Sequence, residues 1–562
     1  MPKAQKVTIE EKLESKLTEV RRQEEEKYAK DLAKKLNLPF IDLTVLPIET
    51  DALVLIDEAT ARQGKMAVIK KTDSNLKIAL ENPENPTSKK VIADFATHGI
   101  KCSIFISSAH GLTKAFDRYK EITKKGKEIT GQVQITEEIL TQYQKEFETL
   151  SDIKQKIEGM RQTEATHVLE AMIAGALKND ASDLHLEGRE TNALMRYRID
   201  GILNDVVFLP LKTYSLVLSR IKLLSGMVLN VHDRAQDGRF TIKLKTAEIE
   251  VRVSIIPSPM GEDIVMRILN PKSINLSLKD LGFREDLYKF VEKEIRRPNG
   301  MIITTGPTGS GKTTALYAFL KEVTDPEVKI ITLEDPIEYH LVGVIQTQVE
   351  VEQGYTFANG LRAILRQDPD IVLVGEIRDR ETAEISIQAA LTGHVVFSTL
   401  HTNDAAGAIP RFIDMGANPT ILSAALIDIM AQRLLRRICA SCKKEYKPTE
   451  EEKGKIKRAI EGIPKTVALP EISGDFKLYR GQGCSICNNT GYKGRVGIYE
   501  IIPIDAEVEK IITRSPSHAE VTELIRKKGF VSMYQDGILK ILEGVTTLEE
   551  LEDVVGTEGS QR

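Results

Sequence analysis

The amino-acid sequence predicts a multidomain α/β protein whose largest domain contains a phosphate-binding loop. A glycine-rich segment at residues 306–313 follows the apolar run 301–305 and precedes the helix-prone residues 314–320. Strand, loop and helix in this order are the context that a phosphate-binding loop requires. The chain has 562 residues, too many for one hydrophobic core, and at about 150 residues per domain three or four domains are expected.

The loop residues have the chemistry that a nucleotide triphosphate needs. Its glycines allow backbone N–H groups to converge on an anion at the start of a helix. We expect Lys312 to neutralise the β- and γ-phosphates and the Thr313 hydroxyl to bind Mg²⁺. The full set of predicted nucleotide contacts is Gly306, Pro307, Thr308, Gly309, Ser310, Gly311, Lys312, Thr313 and Thr314.

Composition excludes several classes of protein. The formal net charge is -4, from 78 Lys and Arg against 82 Asp and Glu, so no overall basic field draws the chain to nucleic acid or anionic lipid. The first residues lack the apolar stretch of a secretory signal, and no run approaches the roughly 18 apolar residues that span a bilayer. We therefore expect a cytoplasmic protein that reaches a membrane only through partners.

Charge-rich stretches and short apolar runs divide the chain before the loop. Residues 1–35 are dense in Lys and Glu with apolar residues at helical spacing, and predict a charged N-terminal helix. Strand-like runs at 66–70 and 76–80 place a small α/β domain at 36–122. Residues 123–162 are polar and predict a helical linker with little core of its own.

The remaining boundaries follow from the same patterns. A helix from 163 and strand-like runs near 182–186, 193–199, 239–242 and 248–254 predict a second α/β domain. The further predicted divisions are the second domain at 163–272, a hinge at 273–290, the core around the loop at 291–438, a cysteine insert at 439–497 and a helical C-terminal region at 498–562.

Acidic and imidazole side chains follow the predicted core strands. The strand at 329–333 leads to Glu334, and the strand at 371–374 leads to Gly375 and Glu376. Ligands bind at the carboxyl ends of such strands, where carboxylates can hold Mg²⁺ or orient water. A third strand, 395–400, begins after His394 and ends before His401, so we expect an imidazole to sense the γ-phosphate.

Four of the five cysteines form two Cys-x-x-Cys pairs. Cys439 and Cys442 are separated by 41 residues from Cys484 and Cys487. Four thiolates on two such turns are typical of a closed, structural zinc site. A redox function needs only one pair, and the cytosol disfavours disulfides. We therefore predict zinc, and interpret Cys102 as a small buried residue.

Four motifs in this order resemble those of the type II secretion and type IV pilus assembly ATPases of bacteria, within the secretion-ATPase superfamily. Residues 306–314 resemble the Walker A motif of that family, 331–339 its Asp box, 365–379 its atypical Walker B motif and 392–402 its His box. The resemblance covers nearly the whole chain. It implies a RecA-like P-loop core preceded by a PAS-like α/β domain and an additional N-terminal α/β domain, with a zinc-binding tetracysteine insert.

The resemblance also implies roles for single residues. Glu334 corresponds to the Asp-box glutamate that polarises the attacking water, and Glu376 to the Walker B glutamate beside Mg²⁺. His401, together with His394, corresponds to the His box. Two further positions, Arg252 and Arg267, correspond to arginines of the preceding domain that reach the phosphates of the same or a neighbouring subunit; from the sequence alone both would be structural ion pairs.

The function implied by the resemblance is an ATPase motor, typically a hexameric ring, with ATP, Mg²⁺ and Zn²⁺ as cofactors. Pilus retraction ATPases lack both the additional N-terminal domain and the cysteine insert, so assembly or secretion is favoured. Residues 36–122 resemble the domain that docks on cytoplasmic and inner-membrane platform components. The tandem motif with which some relatives bind cyclic di-GMP is not found in this sequence, so that ligand is not predicted.

The leading hypothesis is a motor that assembles a type IV pilus, and the alternative is a type II secretion ATPase, which shares every motif. A DNA-uptake pilus would use a similar motor. A nucleic-acid translocase is a remote alternative, because the chain is acidic and shows no basic, aromatic strand-binding channel. A catalytically inactive scaffold is disfavoured because Lys312, Glu334 and Glu376 are all present.

Overall fold

The computed structural model describes two compact units. The described residues are 24–44, 50–53, 55–56, 58–72, 75–97, 101–117, 119, 132–133, 137–161, 163–244, 248–271, 276–465, 467–469 and 476–557. One unit ends at Gln132 and the other begins at Val133. In these ranges, no helix is long and apolar enough to cross a bilayer.

The N-terminal unit is built on a three-stranded sheet with strands β1 (Met66–Thr72), β2 (Asn75–Leu80) and β3 (Lys101–Ile106) in that spatial order. β1 is antiparallel to β2, and β2 is parallel to β3. The helix Pro86–Thr97 makes the crossover that a parallel pair requires. Thr50–Leu53 and Glu58–Gly64 are also helices, as are residues 24–35 and 109–117.

The two strands predicted in this unit are confirmed as β1 and β2. Their inward side chains, among them Met66, Val68 and Ile78, are fully buried. The predicted N-terminal helix extends before residue 24, and that part lies outside the described residues.

The second unit begins with a mostly antiparallel sheet. Its strands are β4 (Gln132–Val133), β5 (Asp183–Gly188), β6 (Asn192–Ile199), β7 (Ile202–Pro210), β8 (Gln236–Lys243), β9 (Glu248–Ser258) and β10 (Gly261–Leu269). The spatial order is β4-β8-β9-β10-β5-β6-β7. The helices Ala165–Lys178 and Leu211–Leu224 pack against this sheet. We call this part the arginine domain, since β8, β9 and β10 carry Arg239, Arg252 and Arg267 side by side.

The predicted linker at 123–162 differs from the structure. It contains the helices Glu137–Glu146 and Leu150–Glu158, and Leu140, Phe147 and Ile153 lie buried in the core of the arginine domain. Each helix has a narrow apolar stripe among many charged residues, which lie on its outer face. The high charge of the stretch therefore hid the apolar spacing in the sequence. These helices are part of that domain's core.

The phosphate loop lies in a seven-stranded sheet. Its strands are β11 (Gly300–Thr305), β12 (Ile330–Glu334), β13 (Ile345–Gln348), β14 (Ile371–Val374), β15 (Val395–Leu400), β16 (Leu426–Ile438) and β19 (Tyr492–Pro503); β17 (Lys443–Tyr446) and β18 (Leu478–Gly481) form a separate hairpin. The spatial order is β13-β12-β14-β15-β11-β16-β19, and every neighbouring pair is parallel except β16 with β19.

Helices cover both faces of this sheet because its parallel strands are apolar on both sides. They are Glu285–Glu294, Lys312–Val323, Phe357–Leu365, Arg380–Leu391, Ala408–Asp414, Pro419–Ala425, Glu450–Glu461, Ala506–Ile512, His518–Lys528, Met533–Leu542 and Leu548–Val555, with short 3₁₀ turns at Leu278–Leu281, Val351–Gln353 and Ser485–Cys487. Leu278 and Leu281, which fall in the predicted hinge, are buried in the same core as Leu316 of the loop helix.

Candidate nucleotide and metal sites

The phosphate loop connects a fully buried strand to a helix. All six residues of β11 are buried, and the helix Lys312–Val323 begins after Gly311. Gly309 and Gly311 have φ angles of 81° and 88°, a region that side chains with a Cβ rarely enter. The predicted arrangement of strand, loop and helix is therefore present in the structure, with the helix N-terminus directed at the loop.

Lys312 is buried and hydrogen-bonded to its own loop. Its Nζ donates to the carbonyl oxygens of Gly306 at 2.7 Å and Pro307 at 3.0 Å. Burial lowers the pKa of the ammonium to about 8, with Glu376 acting in the opposite direction and Arg433 in the same direction. A phosphate at this position would replace two neutral acceptors by an anion and favour the charged form of the lysine.

Glu376 lies just after β14, and its negative charge acts on Lys312 of the phosphate loop. Only 9% of the residue is exposed. Its Oε1 forms an ion pair with Arg378 Nη2 at 2.5 Å, and its Oε2 lies 3.3 Å from His401 Nε2. Oε2 is buried and makes no hydrogen bond to any described residue. Buried polar atoms rarely lack a partner, and an oxygen in this position fits Mg²⁺ or a water as its missing partner.

Thr313, the other predicted magnesium ligand, is exposed in the first turn of the loop helix, and Thr314 beside it is partly exposed. A hydroxyl and a carboxylate are oxygen donors of the kind Mg²⁺ prefers. The donors present in this chain therefore fit a magnesium nucleotide.

Glu334 lies buried at the end of β12. Its carboxylate accepts hydrogen bonds from the Tyr317 hydroxyl, the Thr332 hydroxyl and Gln346 Nε2, the last at 3.2 Å. Burial raises the pKa of this carboxyl group, although the three donors act to lower it. Both oxygens of Glu334 are thus engaged by the protein, whereas one oxygen of Glu376 is not. The role of Glu334 in polarising water stays a prediction.

The two histidines of the predicted catalytic set lie at opposite ends of β15. His401 follows the strand and lies beside Glu376. His394 precedes the strand, where its Nδ1 is 3.0 Å from the Ala389 carbonyl and its own carbonyl accepts from Gly300 N. Six residues of extended strand span about 20 Å. The two ends of a strand lie at opposite edges of the sheet, so the structure does not bring His394 together with Glu376 and His401, and a catalytic role for His394 stays a prediction.

Arg252 reaches from β9 of the arginine domain to the Asp-box segment after β12. Its Nη2 donates to the Ile337 carbonyl at 2.5 Å and its Nη1 to Glu338 Oε2 at 3.2 Å. Arg267 lies directly opposite Arg252 in the β9–β10 register and forms an ion pair with Asp183 at 3.1 Å. Arg252 thus contacts the domain that carries the phosphate loop, whereas Arg267 forms its ion pair within the sheet of the arginine domain.

Several polar residues contact the phosphate loop or its carboxylates although the sequence did not predict them as site residues. Tyr317 and Gln346 hold Glu334, and Arg378 holds Glu376. Gln432 and Arg433 of β16 lie against Gly306 and Gly311. Only Arg378 lies within two residues of a predicted site residue; the others are brought to the loop by strand pairing or by helix packing.

The four paired cysteines converge in the insert. Their sulfur atoms all lie within 4.8 Å of one another, with Sγ–Sγ distances of 3.8 Å for Cys439 and Cys484 and 3.9 Å for Cys442 and Cys487. Zinc–sulfur bonds of about 2.3 Å in a tetrahedron place sulfurs about 3.8 Å apart. The cluster therefore fits a structural zinc ion.

The turn that carries the second cysteine pair also contacts the arginine domain. Asn488 Oδ1 accepts from Leu150 N at 3.2 Å, and Asn488 Nδ2 donates to Asn179 Oδ1 at 3.0 Å. Gly494 N donates to Asp200 Oδ2 at 2.8 Å. The geometry of the cysteine turn thus supports a contact with the neighbouring domain.

Binding of magnesium-ATP should weaken about tenfold between pH 7.5 and pH 9. The depressed pKa of Lys312, about 8, means that the nucleotide-free protein loses this charge across the interval. Phosphate binding requires the protonated lysine, so it must take up a proton above pH 8 and the apparent Kd rises. Calorimetric titration at several pH values measures the effect.

The Lys312→Ala variant is the control for this prediction. It should bind weakly throughout and show no such pH dependence, because the titrating group is absent. A wild-type Kd that stays constant across the interval would contradict the assignment of Lys312 to the phosphates.

Two family models match the chain. The model described as type II/IV secretion system protein matches residues 160–553, and that of the MshEN domain matches residues 36–125. The first model covers the arginine domain from residue 160 onwards, the phosphate-loop core and the cysteine insert.

Two relatives match over different extents of the chain. The type II secretion system protein E of Pseudomonas aeruginosa is 45% identical over 384 residues, which are 68% of this chain and 74% of the relative. The type IV pilus assembly ATPase PilB of Myxococcus xanthus is 35% identical over 545 residues, 96% of this chain and 92% of the relative.

A solved structure supports the fold. The ATPase DotB of Yersinia pseudotuberculosis superposes with a TM-score of 0.52 at 20% identity, over 70% of this chain and 95% of DotB. The sequence-based predictions of family, fold class and ATPase chemistry are confirmed by these matches taken together. The chain belongs to the type II/IV secretion system protein family, a family of secretion and pilus assembly ATPases.

Proposed function

We propose that this protein is an ATP-hydrolysing motor that powers the assembly of a type IV pilus. The observation that carries the proposal is the grouping of Lys312, Glu376 and His401 around one phosphate loop, with Arg252 of the arginine domain bridging to the Asp-box segment beside it. Phosphoryl transfer to water needs charge neutralisation and an aligned nucleophile, and these groups supply both.

The chain's own residues divide this work. When nucleotide binds, Lys312 would give up its hydrogen bonds to the Gly306 and Pro307 carbonyl oxygens and donate to the β- and γ-phosphates instead. Mg²⁺, held by Thr313 and Glu376, supplies further neutralisation of phosphate charge when it is bound. The Oε2 atom of Glu376 makes no hydrogen bond to any described residue and would accept one from a water beside the Mg²⁺. We propose this water as the nucleophile, in place of one polarised by Glu334, whose oxygens are both engaged by the protein. Arg378 fixes the other oxygen of the Glu376 carboxylate and so orients it.

Movement of the arginine domain couples this chemistry to mechanical work. Arg252 already bridges to the Asp-box segment. The neighbouring Arg267 is half-exposed, and its partner Asp183 is also contacted by Arg198, so Asp183 keeps a counterion if Arg267 turns away. Arginines that reach the phosphates would close the domain on ATP and release it after hydrolysis. In a hexameric ring such closures in successive subunits would drive rotation or displacement of a bound platform.

The extent of the relatives supports the choice of a pilus motor. The pilus assembly ATPase of Myxococcus xanthus aligns with 96% of this chain, including the N-terminal unit. The alternative is a type II secretion ATPase, supported by the higher identity of 45% over the shared core. Both alternatives use the same motor chemistry and differ in the filament that is built.

We further propose a cytoplasmic location at the inner membrane, reached through partners. The N-terminal domain at 36–122 would dock on platform and assembly components, and the ATPase units would form the ring. Nucleic acid is not a proposed partner; hydrolysis stimulated by DNA would revive the remote translocase alternative.

Deletion of the gene in its native bacterium, with complementation, tests the proposed function. Loss of surface pili that wild-type protein restores and Lys312→Ala does not would support a pilus motor. Loss of exported proteins with intact pili would support the type II alternative. Purified protein without ATP turnover or assembly, even with its membrane components, would contradict the motor itself.

A further inference from the structure

Two residues of β16 line the phosphate loop from the side opposite β15. β16 is parallel to β11, with Ala431 opposite Thr305, so Gln432 and Arg433 continue alongside the first loop residues. A Cβ built on Gly306 would lie 3.2 Å from Arg433 Nη1, and one on Gly311 would lie 2.9 Å from Gln432 Nε2. Both side chains are thus within contact distance of the loop, at the ligand-binding edge of the sheet.

The guanidinium of Arg433 has no acidic partner among the described residues. Its Nη2 donates to the Asn403 carbonyl at 2.9 Å, and its Nη1 to the Gln432 carbonyl at 3.3 Å. No carboxylate oxygen of the described part of the chain lies within ion-pair distance. Asp404 and Glu500 act on it from farther away, and burial lowers its pKa. A partly buried cation without a counterion is costly unless an anion completes it.

The positive charge beside the loop is shared with Lys312. Arg433 contributes to the lowered pKa of that lysine, and Glu376 is the carboxylate that acts in the opposite direction. Glu376 in turn is already paired with Arg378. Two cations, Lys312 and Arg433, therefore act on each other beside an anion-binding backbone, and a polyphosphate bound there would offset their repulsion.

Unsatisfied buried polar atoms at the same place give an independent indication of a ligand. Ser310 Oγ in the loop and Gln432 Oε1 are buried and have no hydrogen-bond partner in the described residues. Gln432 is 1% exposed and Ser310 is 4% exposed. The Ser310 hydroxyl can donate to a phosphate oxygen, whereas Gln432 Oε1 only accepts and needs an N–H or O–H group of the ligand or of a water.

We propose that Arg433 is a second cation that binds the nucleotide polyphosphate, acting from the same subunit and independently of the arginine domain. The inference rests on the proposed nucleotide-binding function of the loop. Its bond to Asn403, two residues after His401, also links the phosphates to the end of β15. Two cations of the phosphate-loop domain, Lys312 and Arg433, therefore bind the polyphosphate. They do so without any arginine of the arginine domain.

Calorimetric titration of the full-length protein with ATP and with inorganic tripolyphosphate tests this inference. Arg433→Gln keeps a polar side chain with N–H donors but removes the charge. It should raise the Kd of both ligands about tenfold or more, as for loss of a charge-assisted hydrogen bond. Arg433→Lys should retain part of the affinity. Arg411→Gln, an exposed arginine of the same domain with the same change in charge, should bind as the wild type does.

Comparison of the two ligands with the conservative variant separates a phosphate contact from a purely structural role. Loss of a phosphate contact should weaken ATP and tripolyphosphate alike, with the Arg433→Lys variant partly restoring both, while the melting temperature of the nucleotide-free protein stays that of the wild type. An Arg433→Gln variant that binds both ligands as tightly as the wild type would overturn the inference alone. A wild-type protein that binds neither ligand would instead overturn the proposed function.

Discussion

The Glu376→Gln variant should bind ATP as the wild type does and hydrolyse it at least about a hundredfold more slowly. The buried Oε2 of Glu376 makes no hydrogen bond to any described residue and lies 3.3 Å from His401, which suits an acceptor for the attacking water. An amide keeps the shape and the contact of Oε1 with Arg378 but loses the basicity. General-base catalysis contributes about 10²- to 10⁴-fold.

Steady-state turnover together with binding of a slowly hydrolysed ATP analogue measures both halves of this prediction. The matched control is Glu384→Gln, which removes an exposed carboxylate of the same domain that pairs with Arg380 at the surface. Its turnover should stay within about twofold of the wild type, since exposed ion pairs contribute little. Undiminished turnover in Glu376→Gln would show that this carboxylate is outside the chemistry.

Removal of zinc should unfold the cysteine insert and weaken its contact with the arginine domain. The four sulfurs are spaced as for a tetrahedral metal, and zinc binding by such sites is worth about 10–16 kcal/mol in small zinc-dependent folds. That exceeds the total stability of many domains, about 5–15 kcal/mol. Cys484→Ser should therefore abolish zinc binding and expose backbone amides between 439 and 497.

Metal analysis and hydrogen exchange read out this effect without reference to ATP hydrolysis. The wild type should carry one zinc per chain, and loss of the metal should also accelerate exchange around Asn179 and Leu150, which bond to Asn488. Cys102→Ser, in the N-terminal unit, should retain the full zinc content. A zinc-free wild type with slow exchange in the insert would refute a metal-dependent fold.

The sequence by itself determined the elements whose physical signal is local. β11, β14 and β15 are short, fully buried strands, and continuous apolar runs followed by Gly, Glu or His predicted them. The phosphate loop was equally evident, because its glycines and Lys312 must be consecutive to wrap one anion. The two cysteine pairs were predictable for the same reason, since each Cys-x-x-Cys turn presents two sulfurs on its own.

Strand pairing and helix packing decided the rest. β16 is interrupted by Asp428, Gln432, Arg433 and Arg436 and shows no simple apolar period, yet thirteen residues of it lie between β11 and β19. Glu334 acquires its donors from Tyr317 on a helix and Gln346 on another strand. The same geometry placed His394 about 20 Å from the loop edge although it belongs to the same motif as His401.

The physical reason is the range of the interactions involved. A turn or a buried strand is specified by the conformations and hydrophobicity of adjacent residues, so the sequence shows it directly. The charge environment of Lys312 depends on Glu376 and Arg433, which are distant in the chain and meet only because parallel strands of one sheet carry them to the same edge. The sequence alone determined which chemistry this protein carries; the tertiary structure decided which charges surround it.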